Sequence, residues 1–228
     1  AGNIEQAVLR IPKLGISTEL IFVEGRSKDD TLEEIKRVIK KYSGKKQIRL
    51  VHQGNGVGKG DAVRKGFAKA AGDILMILDA DLTMPPEELP KYYQAIRVGK
   101  GELVMGSRLV YPLEQDAMRF LNILGNKAFS LAFSFLLDQP IKDTLCGTKA
   151  MFRSDYEEIA RNRSYFGDFD PFGDYDLIFG SAKLNLKITE IPIRYRARTY
   201  GTTNISRFKH GLLLFKMTLF AMRKIKFV

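Results

Sequence analysis

Strand-like and helix-like segments alternate along the first two-thirds of the chain. Runs rich in Val, Ile, Leu and Met at 19–23, 47–51, 74–78 and 103–106 predict strands. Three segments between or after them carry apolar residues at helical spacing and predict helices, at 31–41, 62–71 and 86–97. This alternation is typical of an α/β fold with a mostly parallel central sheet and helices on both faces. The unbroken apolar run at 74–78 predicts a central strand that is buried on both faces.

The last third of the chain departs from this pattern. Its predicted elements are an apolar helix at 119–138, an alternating strand at 187–198 and a basic, apolar helix at 206–228. The sequence contains no repeat and no linker. We therefore predict one domain at 1–203, followed by a C-terminal basic amphipathic helix at 204–228.

Composition narrows the classes of partner. The chain has 37 Lys and Arg against 26 Asp and Glu, a formal charge of +11, and 45% hydrophobic residues, which excludes a disordered chain. The positive excess predicts an anionic partner: nucleic acid, a phosphorylated substrate or an acidic membrane surface. The single cysteine, Cys146, excludes a disulfide framework and favours a reducing, cytoplasmic location. Every apolar stretch is shorter than the roughly 18 residues that a membrane span needs.

Two carboxylates follow the apolar strand at 74–78 directly, in the sequence Asp79-Ala80-Asp81. In open α/β sheets, ligands bind beyond the carboxyl ends of the strands. Hard oxygen ligands of this kind suit Mg²⁺ or Mn²⁺, which take further ligands from substrate phosphates and water. The alternative is an acidic turn that caps the helix near Pro86.

Two further segments follow predicted strands. The glycine-rich stretch 53–62 lacks the patterns of a Walker A loop and of a dinucleotide-binding loop, but its glycines allow close approach of a phosphate, with Lys59 adding charge. The alternative is a flexible turn. In the stretch 23–31, Glu24 is a candidate acceptor for a nucleoside base or ribose, whereas Ser27, Asp29 or Asp30 would cap the next helix.

Three arginines alternate with less polar residues in the late strand: Arg194, Arg196 and Arg198. Period two places them on one face, where guanidinium groups suit bidentate phosphate contacts. The alternative is a solvated edge strand that is kept soluble by its charge.

Six motifs occur in one order along nearly the whole chain: 23–31, Asn55 to Gly66, Asp79 to Glu87, 106–108, 143–149 and Glu190 to Ser206. Together they resemble the family-two glycosyltransferases, which have a nucleotide-sugar-binding GT-A type fold. The resemblance is strongest to the branch of dolichol-phosphate mannose synthases and bacterial polyprenyl-phosphate glycosyltransferases.

The resemblance implies a metal-dependent inverting glycosyltransferase that takes a sugar from a nucleotide-diphosphate sugar, with Mg²⁺ or Mn²⁺ as the cofactor. It implies that Asp79 and Asp81 hold the cation and the donor diphosphate, with Asp81 and Asp176 as catalytic carboxylates. Arg198 and the loop 200–206 would close over the diphosphate, and Arg108 and Arg119 would face the phosphate of the acceptor. The remaining residues that the resemblance implies for substrate binding are Glu24, Gly25, Asn55, Lys59, Ala80, Lys149 and Ser206.

Three departures from the family pattern qualify these roles. The chain starts in an amphipathic helix, so we expect the opening strand of the family to precede Ala1. Glu24-Gly25-Arg26 replaces the usual Asp-Asp-Gly, so the preference for a base is not inherited. Thr83 stands where some relatives have a metal-binding glutamine.

The acceptor decides whether a base is needed. A polyprenyl phosphate is already ionised, whereas a sugar hydroxyl requires a carboxylate such as Asp176 to take its proton. The basic, apolar helix at 206–228 is typical of helices that lie in an anionic membrane interface, and the family resemblance implies a polyprenyl-phosphate acceptor in that membrane, so we predict peripheral attachment on the cytoplasmic face. The alternative is that this helix packs on the domain or on a second copy in a homo-oligomer.

Two other function classes compete with this reading. A nucleic-acid-binding module would explain the charge but not Asp79 and Asp81, because carboxylates repel phosphate, so we expect no nucleic-acid partner. A non-catalytic, membrane-associated scaffold of the same fold is the second alternative.

Overall fold

The computed structural model of the protein describes residues 1–111, 120–163, 175–198, 200 and 207–226. Its strands are β1 (Glu19–Glu24), β2 (Gln47–His52), β3 (Ile74–Met76), β4 (Leu103–Ser107), β5 (Lys149–Phe152) and β6 (Ile188–Pro192). Its helices are α1 (Ile4–Arg10), α2 (Thr31–Lys41), α3 (Gly58–Phe67), α4 (Leu89–Arg97), α5 (Phe120–Leu137), α6 (Arg153–Arg161), α7 (Tyr175–Lys183) and α8 (Arg207–Ala221). A 3-10 turn, Pro86–Glu88, leads into α4, and a π-helical turn, Met222–Lys226, follows α8.

The six strands form two sheets. β1 and β2 pair in parallel, with Glu19 opposite Gln47 and Glu24 opposite His52. The second sheet has the order β3-β5-β4-β6, in which β5 is antiparallel to β3 and β4, whereas β4 and β6 are parallel. β3, β4 and β6 therefore run in one direction. The expected α/β fold is confirmed, and its larger sheet is mixed, because β5 runs antiparallel to both of its neighbours.

β4 shows why helices cover both faces of the larger sheet. All five of its residues are buried. Leu103 and Met105 pack into a cluster with α5, α6, α7 and the end of α8, whereas Val104 packs into a cluster with α4. Because successive side chains of a strand point to opposite faces, a strand of this composition needs an apolar layer on each side.

β3 differs from its prediction. In the described part of the chain it pairs along one edge, with β5. Leu75 and Ile77 are buried, but Ile74, Met76 and Leu78 are only half-buried. The prediction of a central strand buried on both faces is wrong, because a cavity of about 670 Å³ lies along the other edge of β3.

This cavity separates the two sheets. Residues 19–23 of β1 line one side and residues 74–78 line the other, and Lys59 and Asp79 lie among its lining residues. Two facing strand edges are the geometry with which one further strand would pair. The strand that we expect before Ala1 stays a prediction.

The bounds of two other elements differ from their predictions. The helix expected at 62–71 begins four residues earlier, at Gly58, so Lys59 belongs to the first turn of α3. The strand expected at 187–198 ends at Pro192, which has no N–H for a ladder. The chain then crosses the end of β4, where Ile193 N donates to Ser107 O, and reaches Thr83 O through Arg196 N. Arg194, Arg196 and Arg198 are exposed and alternate with less exposed residues, so the predicted face of arginines is present beyond the strand.

A buried ion pair braces the sheet against α5. Arg108, at the end of β4, donates from Nε and Nη2 to the two carboxylate oxygens of Asp143, both at 2.7 Å. Asn126 of α5 donates to the same carboxylate at 2.8 Å, and Glu190 of β6 accepts the backbone N–H of Asp143 at 2.7 Å. Although burial acts against the charged form, the guanidinium and these donors hold the pKa of Asp143 below its usual value. These hydrogen bonds offset the free energy that burial of the two charges costs, so removal of one partner is expected to destabilise the fold.

We expect Asp143→Asn to lower the free energy of unfolding by about 3–5 kcal/mol, because it leaves the Arg108 guanidinium buried without a negative partner. Urea denaturation at neutral pH measures this loss. Asp73→Asn is the matched control, because Asp73 is 95% exposed and lies 3.6 Å from Arg153, and it should change stability by less than about 1 kcal/mol.

A pH series provides a second reading of the same prediction. The folded-state pKa of Asp143 is depressed, so its contribution is complete above the unfolded pKa of about 3.9 and is lost as pH falls through the folded pKa. The stability difference between the parent and Asp143→Asn should therefore shrink on acidification below about pH 4. A difference that is small at neutral pH, or independent of pH, would contradict the assigned role of this pair.

Candidate active site

The carboxyl ends of the strands from both sheets meet at one place. Asp79 follows β3 within three residues, and Lys59 lies seven residues after β2, in the first turn of α3. Lys59 Nζ lies 2.7 Å from Asp79 Oδ1, so this ion pair joins the two sheets at the end where an α/β sheet binds ligands.

The turn Asp79-Ala80-Asp81 is held by its own backbone and by two neighbours. Leu82 N donates to Asp79 O at 3.1 Å, and Leu82 has a positive φ of 54°, an uncommon conformation for a side chain of this kind. Thr83 donates from N and Oγ1 to Asp81 Oδ1, at 3.1 and 2.9 Å. Asn3 Nδ2 donates to Ala80 O at 3.1 Å. These contacts hold the turn without burying its carboxylates, since Asp79 is 35% and Asp81 is 20% exposed.

Arg198 reaches this turn from the segment that follows β6. Its Nη2 lies 2.6 Å from Asp81 Oδ2, and this contact spans 117 residues of sequence. Arg194, four residues earlier on the same face, instead lies over the ring of Tyr111, with 5.7 Å from its Cζ to the ring centroid. The stripe of arginines therefore contains members with different surroundings, and Arg198 is the member that lies at the carboxylates.

Gly147 approaches the same pair of charges. A Cβ placed on it would overlap Asp79 Oδ2 and Lys59 Nζ. A side chain at residue 147 would therefore require the ends of the Asp79 and Lys59 side chains to shift. Sequence reasoning found Gly147 as part of a motif but did not assign it this steric role.

The donor set at this turn fits a hard divalent cation. Asp79 and Asp81 supply carboxylate oxygens, the ligands that Mg²⁺ and Mn²⁺ prefer. Within the described residues, no group of three or more His, Cys, Asp or Glu side chains gathers at one point. Two protein ligands are therefore what the turn offers, and a cation held there would complete its shell with phosphate oxygens and water.

The predicted nucleoside-contacting residues lie at the ends of β1 and β2. Glu24 is buried, and its Oε1 accepts the backbone N–H of Ser27 at 2.6 Å, which lowers the pKa of Glu24. A Cβ on Gly25 would overlap Gln53 Oε1, and Gln53 Nε2 donates to Gly58 O at 2.8 Å. Asn55 is exposed in the turn before α3. The buried Gln53, which sequence reasoning did not single out, links the end of β1 to the start of α3.

Two of the predicted basic residues are buried. Arg108 is 8% exposed, bound to Asp143, and its Cζ lies 5.1 Å from the ring centroid of Tyr195. Lys149 is 1% exposed, and its Nζ donates to Cys146 O at 2.7 Å. Their predicted contacts with substrate stay predictions, as do those of Arg119 and Ser206, which lie outside the described residues.

Asp176 lies in the first turn of α7 and is 7% exposed. Arg163, at the end of α6, donates from Nε to Asp176 Oδ2 at 3.0 Å. The carboxylate that sequence analysis considered as a general base is therefore engaged by a guanidinium group. Its role as a base stays a prediction.

This chain is similar to a known family of proteins. The model of a family described as Glycosyl transferase family 2 matches residues 3–160. A dolichyl-phosphate hexose transferase of Haloferax volcanii is 30% identical over 200 residues, which are 87% of this chain and 78% of that protein. A dolichol-phosphate mannosyltransferase of Pyrococcus furiosus is 28% identical over 209 residues, which are 89% of this chain but 55% of that protein. The chain thus spans about half the length of the latter relative.

Solved structures show the same fold. Glucosyl-3-phosphoglycerate synthase from Mycobacterium tuberculosis, in complex with Mn²⁺, uridine diphosphate and glucosyl-3-phosphoglycerate, superimposes with a TM-score of 0.68 and 18% identity. The match covers 98% of this chain and 75% of that one. The expected GT-A-like architecture is confirmed by this likeness.

Proposed function

Since the chain belongs to glycosyl transferase family 2, we propose that it transfers a sugar from a nucleotide-diphosphate sugar to a polyprenyl phosphate at a membrane surface. The observation that carries the proposal is the turn at the carboxyl end of β3. There, Asp79 and Asp81 lie beside Lys59 and Arg198, two cations that come from separate elements of the fold. A site that combines carboxylates with mobile cations suits a diphosphate that arrives with a metal ion.

Asp79 and Asp81 are the residues that would hold Mg²⁺ or Mn²⁺. The cation would supply charge neutralisation for the diphosphate as the bond to the sugar breaks. The structural relative with Mn²⁺ and uridine diphosphate supports this choice of cofactor. The role of Thr83 is to fix the Asp81 carboxylate through the 2.9 Å hydrogen bond from its hydroxyl.

Lys59 and Arg198 are the residues that would bind the diphosphate oxygens. Both side chains are 32% exposed, so each can turn from its carboxylate to a ligand in the same crevice. The planar guanidinium of Arg198 suits a bidentate contact with phosphate, and the Lys59 ammonium supplies a point charge. Together they would hold the leaving diphosphate in place while the sugar is transferred.

A lipid phosphate is the acceptor that these residues favour. In an inverting displacement, an acceptor oxygen forms a bond to the sugar carbon while the bond to the donor diphosphate breaks and its electron pair leaves with the diphosphate. An ionised phosphate oxygen does this without a base, which agrees with the engagement of Asp176 by Arg163. The names of the Haloferax and Pyrococcus relatives, which refer to dolichyl and dolichol phosphate, support the same class.

An exposed apolar surface supports attachment to a membrane. On α5, Leu124, Leu131 and Phe135 are 57%, 75% and 61% exposed, at helical spacings of seven and four residues. The opposite face of this helix is buried, with Phe133 and Leu136 in the main core. The helix therefore buries one apolar face in the domain and exposes apolar side chains on the other.

α8 extends the same surface. It packs against α5 through a face that includes the buried Met217 and Ala221, whereas Leu212, Phe215 and Leu219 are exposed. Among the described residues, no helix is long and apolar enough to cross a bilayer. Exposed Lys216, Arg223 and Lys224 lie on or just after this helix, so cationic and apolar groups occur together, as in helices that lie in an anionic membrane interface. This charge favours an anionic bilayer over a second copy of the same basic chain as the occupant.

Replacement of a metal carboxylate tests the donor site. We expect Asp81→Asn to lower transfer from a panel of nucleotide-sugars to polyprenyl phosphate by about 100-fold or more, because half of the carboxylate charge at the turn is lost. The melting temperature should change little, since Asp81 lies on a partly exposed turn. Asp73→Asn, the same chemical change at a 95% exposed site, should retain the parent activity. Equal metal-dependent activity in the two variants would refute the assignment.

A glycine substitution tests the close approach at Asp79. We expect Gly147→Ala to weaken Mn²⁺-dependent binding of nucleoside diphosphates by at least about tenfold, because its Cβ would displace Asp79 and Lys59 from their positions. Isothermal titration calorimetry measures the change. Gly125→Ala in α5 is the control, since a Cβ there meets no described atom within 4 Å. Parent-like binding by Gly147→Ala would show that the turn tolerates a side chain.

Flotation with liposomes tests membrane attachment. We expect the protein to float with vesicles of anionic lipid at low salt, and Leu131→Glu and Phe215→Glu to float at least about fivefold less, because a charge in the apolar interface is costly. Leu9→Glu, at a 52% exposed position of α1, is the matched control and should behave as the parent. Protein that stays in the soluble fraction, or that forms dimers which the two α5 and α8 variants disrupt, would contradict the membrane proposal.

A further inference from the structure

Each carboxylate of the donor site is already paired with a cation of the protein itself. Asp79 Oδ1 lies 2.7 Å from Lys59 Nζ, and Asp81 Oδ2 lies 2.6 Å from Arg198 Nη2. The two cations come from α3 and from the segment after β6, on opposite sides of the turn. The four side chains together carry no net charge, so the turn does not present a dianionic site to a cation from solution.

A divalent cation that binds both carboxylates has to compete with these side chains. One oxygen of Asp81 accepts two hydrogen bonds from Thr83, and the other oxygen faces Arg198. A metal ion bonded to that second oxygen would lie within a few ångströms of the guanidinium, where like charges repel strongly. Binding of the metal ion at that oxygen therefore requires Arg198 to move, and a metal ion at Asp79 Oδ1 would meet Lys59 Nζ in the same way.

The exposure of these pairs makes such an exchange feasible. Lys59 and Arg198 are each 32% exposed, and ion pairs of this kind contribute little to stability. The pair of Arg108 and Asp143 is different, because it is buried, has two hydrogen bonds and lies at the junction of β4 and α5. Of these three ion pairs, the buried one braces the fold, whereas the two at the turn after β3 are exposed enough to exchange partners.

We propose that Lys59 and Arg198 are internal counterions, which occupy the cation positions of Asp79 and Asp81 until a nucleoside diphosphate arrives with its metal ion. This inference rests on the proposed function. In the complex, Asp79 and Asp81 would hold the metal ion, and Lys59 and Arg198 would turn to the diphosphate oxygens. Charge is balanced before and after the exchange, so metal ion and nucleoside diphosphate bind cooperatively, while the metal ion alone binds weakly.

The test measures two affinities that should change in opposite directions. Binding of Mn²⁺ alone is followed by electron paramagnetic resonance, and binding of adenosine, guanosine, cytidine and uridine diphosphates in the presence of Mn²⁺ is followed by calorimetry. We expect Lys59→Gln and Arg198→Gln to bind Mn²⁺ alone at least about fivefold tighter than the parent. The same variants should bind the preferred nucleoside diphosphate at least about tenfold more weakly, because they lose a charged contact with phosphate.

Two kinds of control separate a local exchange from a general change in charge. Arg196→Gln removes the same charge from an exposed side chain two residues before Arg198 and should leave both affinities at the parent values. Lys59→Arg and Arg198→Lys keep the charge and should bind Mn²⁺ alone as weakly as the parent. Circular dichroism checks that every variant is folded.

The outcomes also distinguish this inference from the proposed function. If Lys59→Gln and Arg198→Gln bind Mn²⁺ alone no tighter than Arg196→Gln does, the counterion role is refuted. If the parent binds no nucleoside diphosphate with Mn²⁺, the proposed function fails, whereas the comparison of Mn²⁺ affinities still decides whether the two side chains compete with the metal ion.

Discussion

The contact between Lys59 and Asp79 is the interaction on which the site depends. The strands of the protein fall into two sheets with a cavity of about 670 Å³ between β1 and β3. At the carboxyl ends of these strands, the 2.7 Å ion pair connects α3, which follows β2, to the turn that follows β3. This pair thus joins the strand end that carries Glu24 and Gly25, predicted to contact the nucleoside, to the turn with Asp79 and Asp81, proposed to hold the metal ion.

Burial distinguishes the ion pair of Arg108 and Asp143 from the two ion pairs at the turn after β3. Arg108 and Asp143 lie in the interior, where each charge must keep its partner, so their pair braces the fold. Lys59 and Arg198 face a crevice, where water and a ligand can replace a carboxylate as the partner. The burial of Cys146 raises the pKa of its thiol to about 11, so this thiol is un-ionised at neutral pH.

The apolar helix α5 has both a buried face and an exposed face. Phe133 and Leu136 of α5 anchor the helix to the core that also holds α7, while Leu131 and Phe135 on another face are exposed. α5 is also tied to the larger sheet, because its Asn126 donates a hydrogen bond to Asp143, the partner of Arg108 at the end of β4. The turn after β3 and this exposed surface therefore belong to one folded unit. The proposed transfer from a water-soluble donor to a lipid acceptor would use both surfaces of this unit.

Local sequence patterns determined the elements that depend only on neighbouring residues. The helix at Thr31–Lys41 was predicted with its observed bounds, and the turn Asp79-Ala80-Asp81 was predicted beside a strand end, because periodicity and strand order are written in adjacent positions. Only the tertiary structure decided that β3 lies beside a cavity, that Arg108 is buried against Asp143, and that Arg198, which the family resemblance had singled out, forms an ion pair with Asp81. These outcomes depend on contacts across as many as 117 residues, and a periodic pattern carries no information about which distant side chain arrives at a given charge.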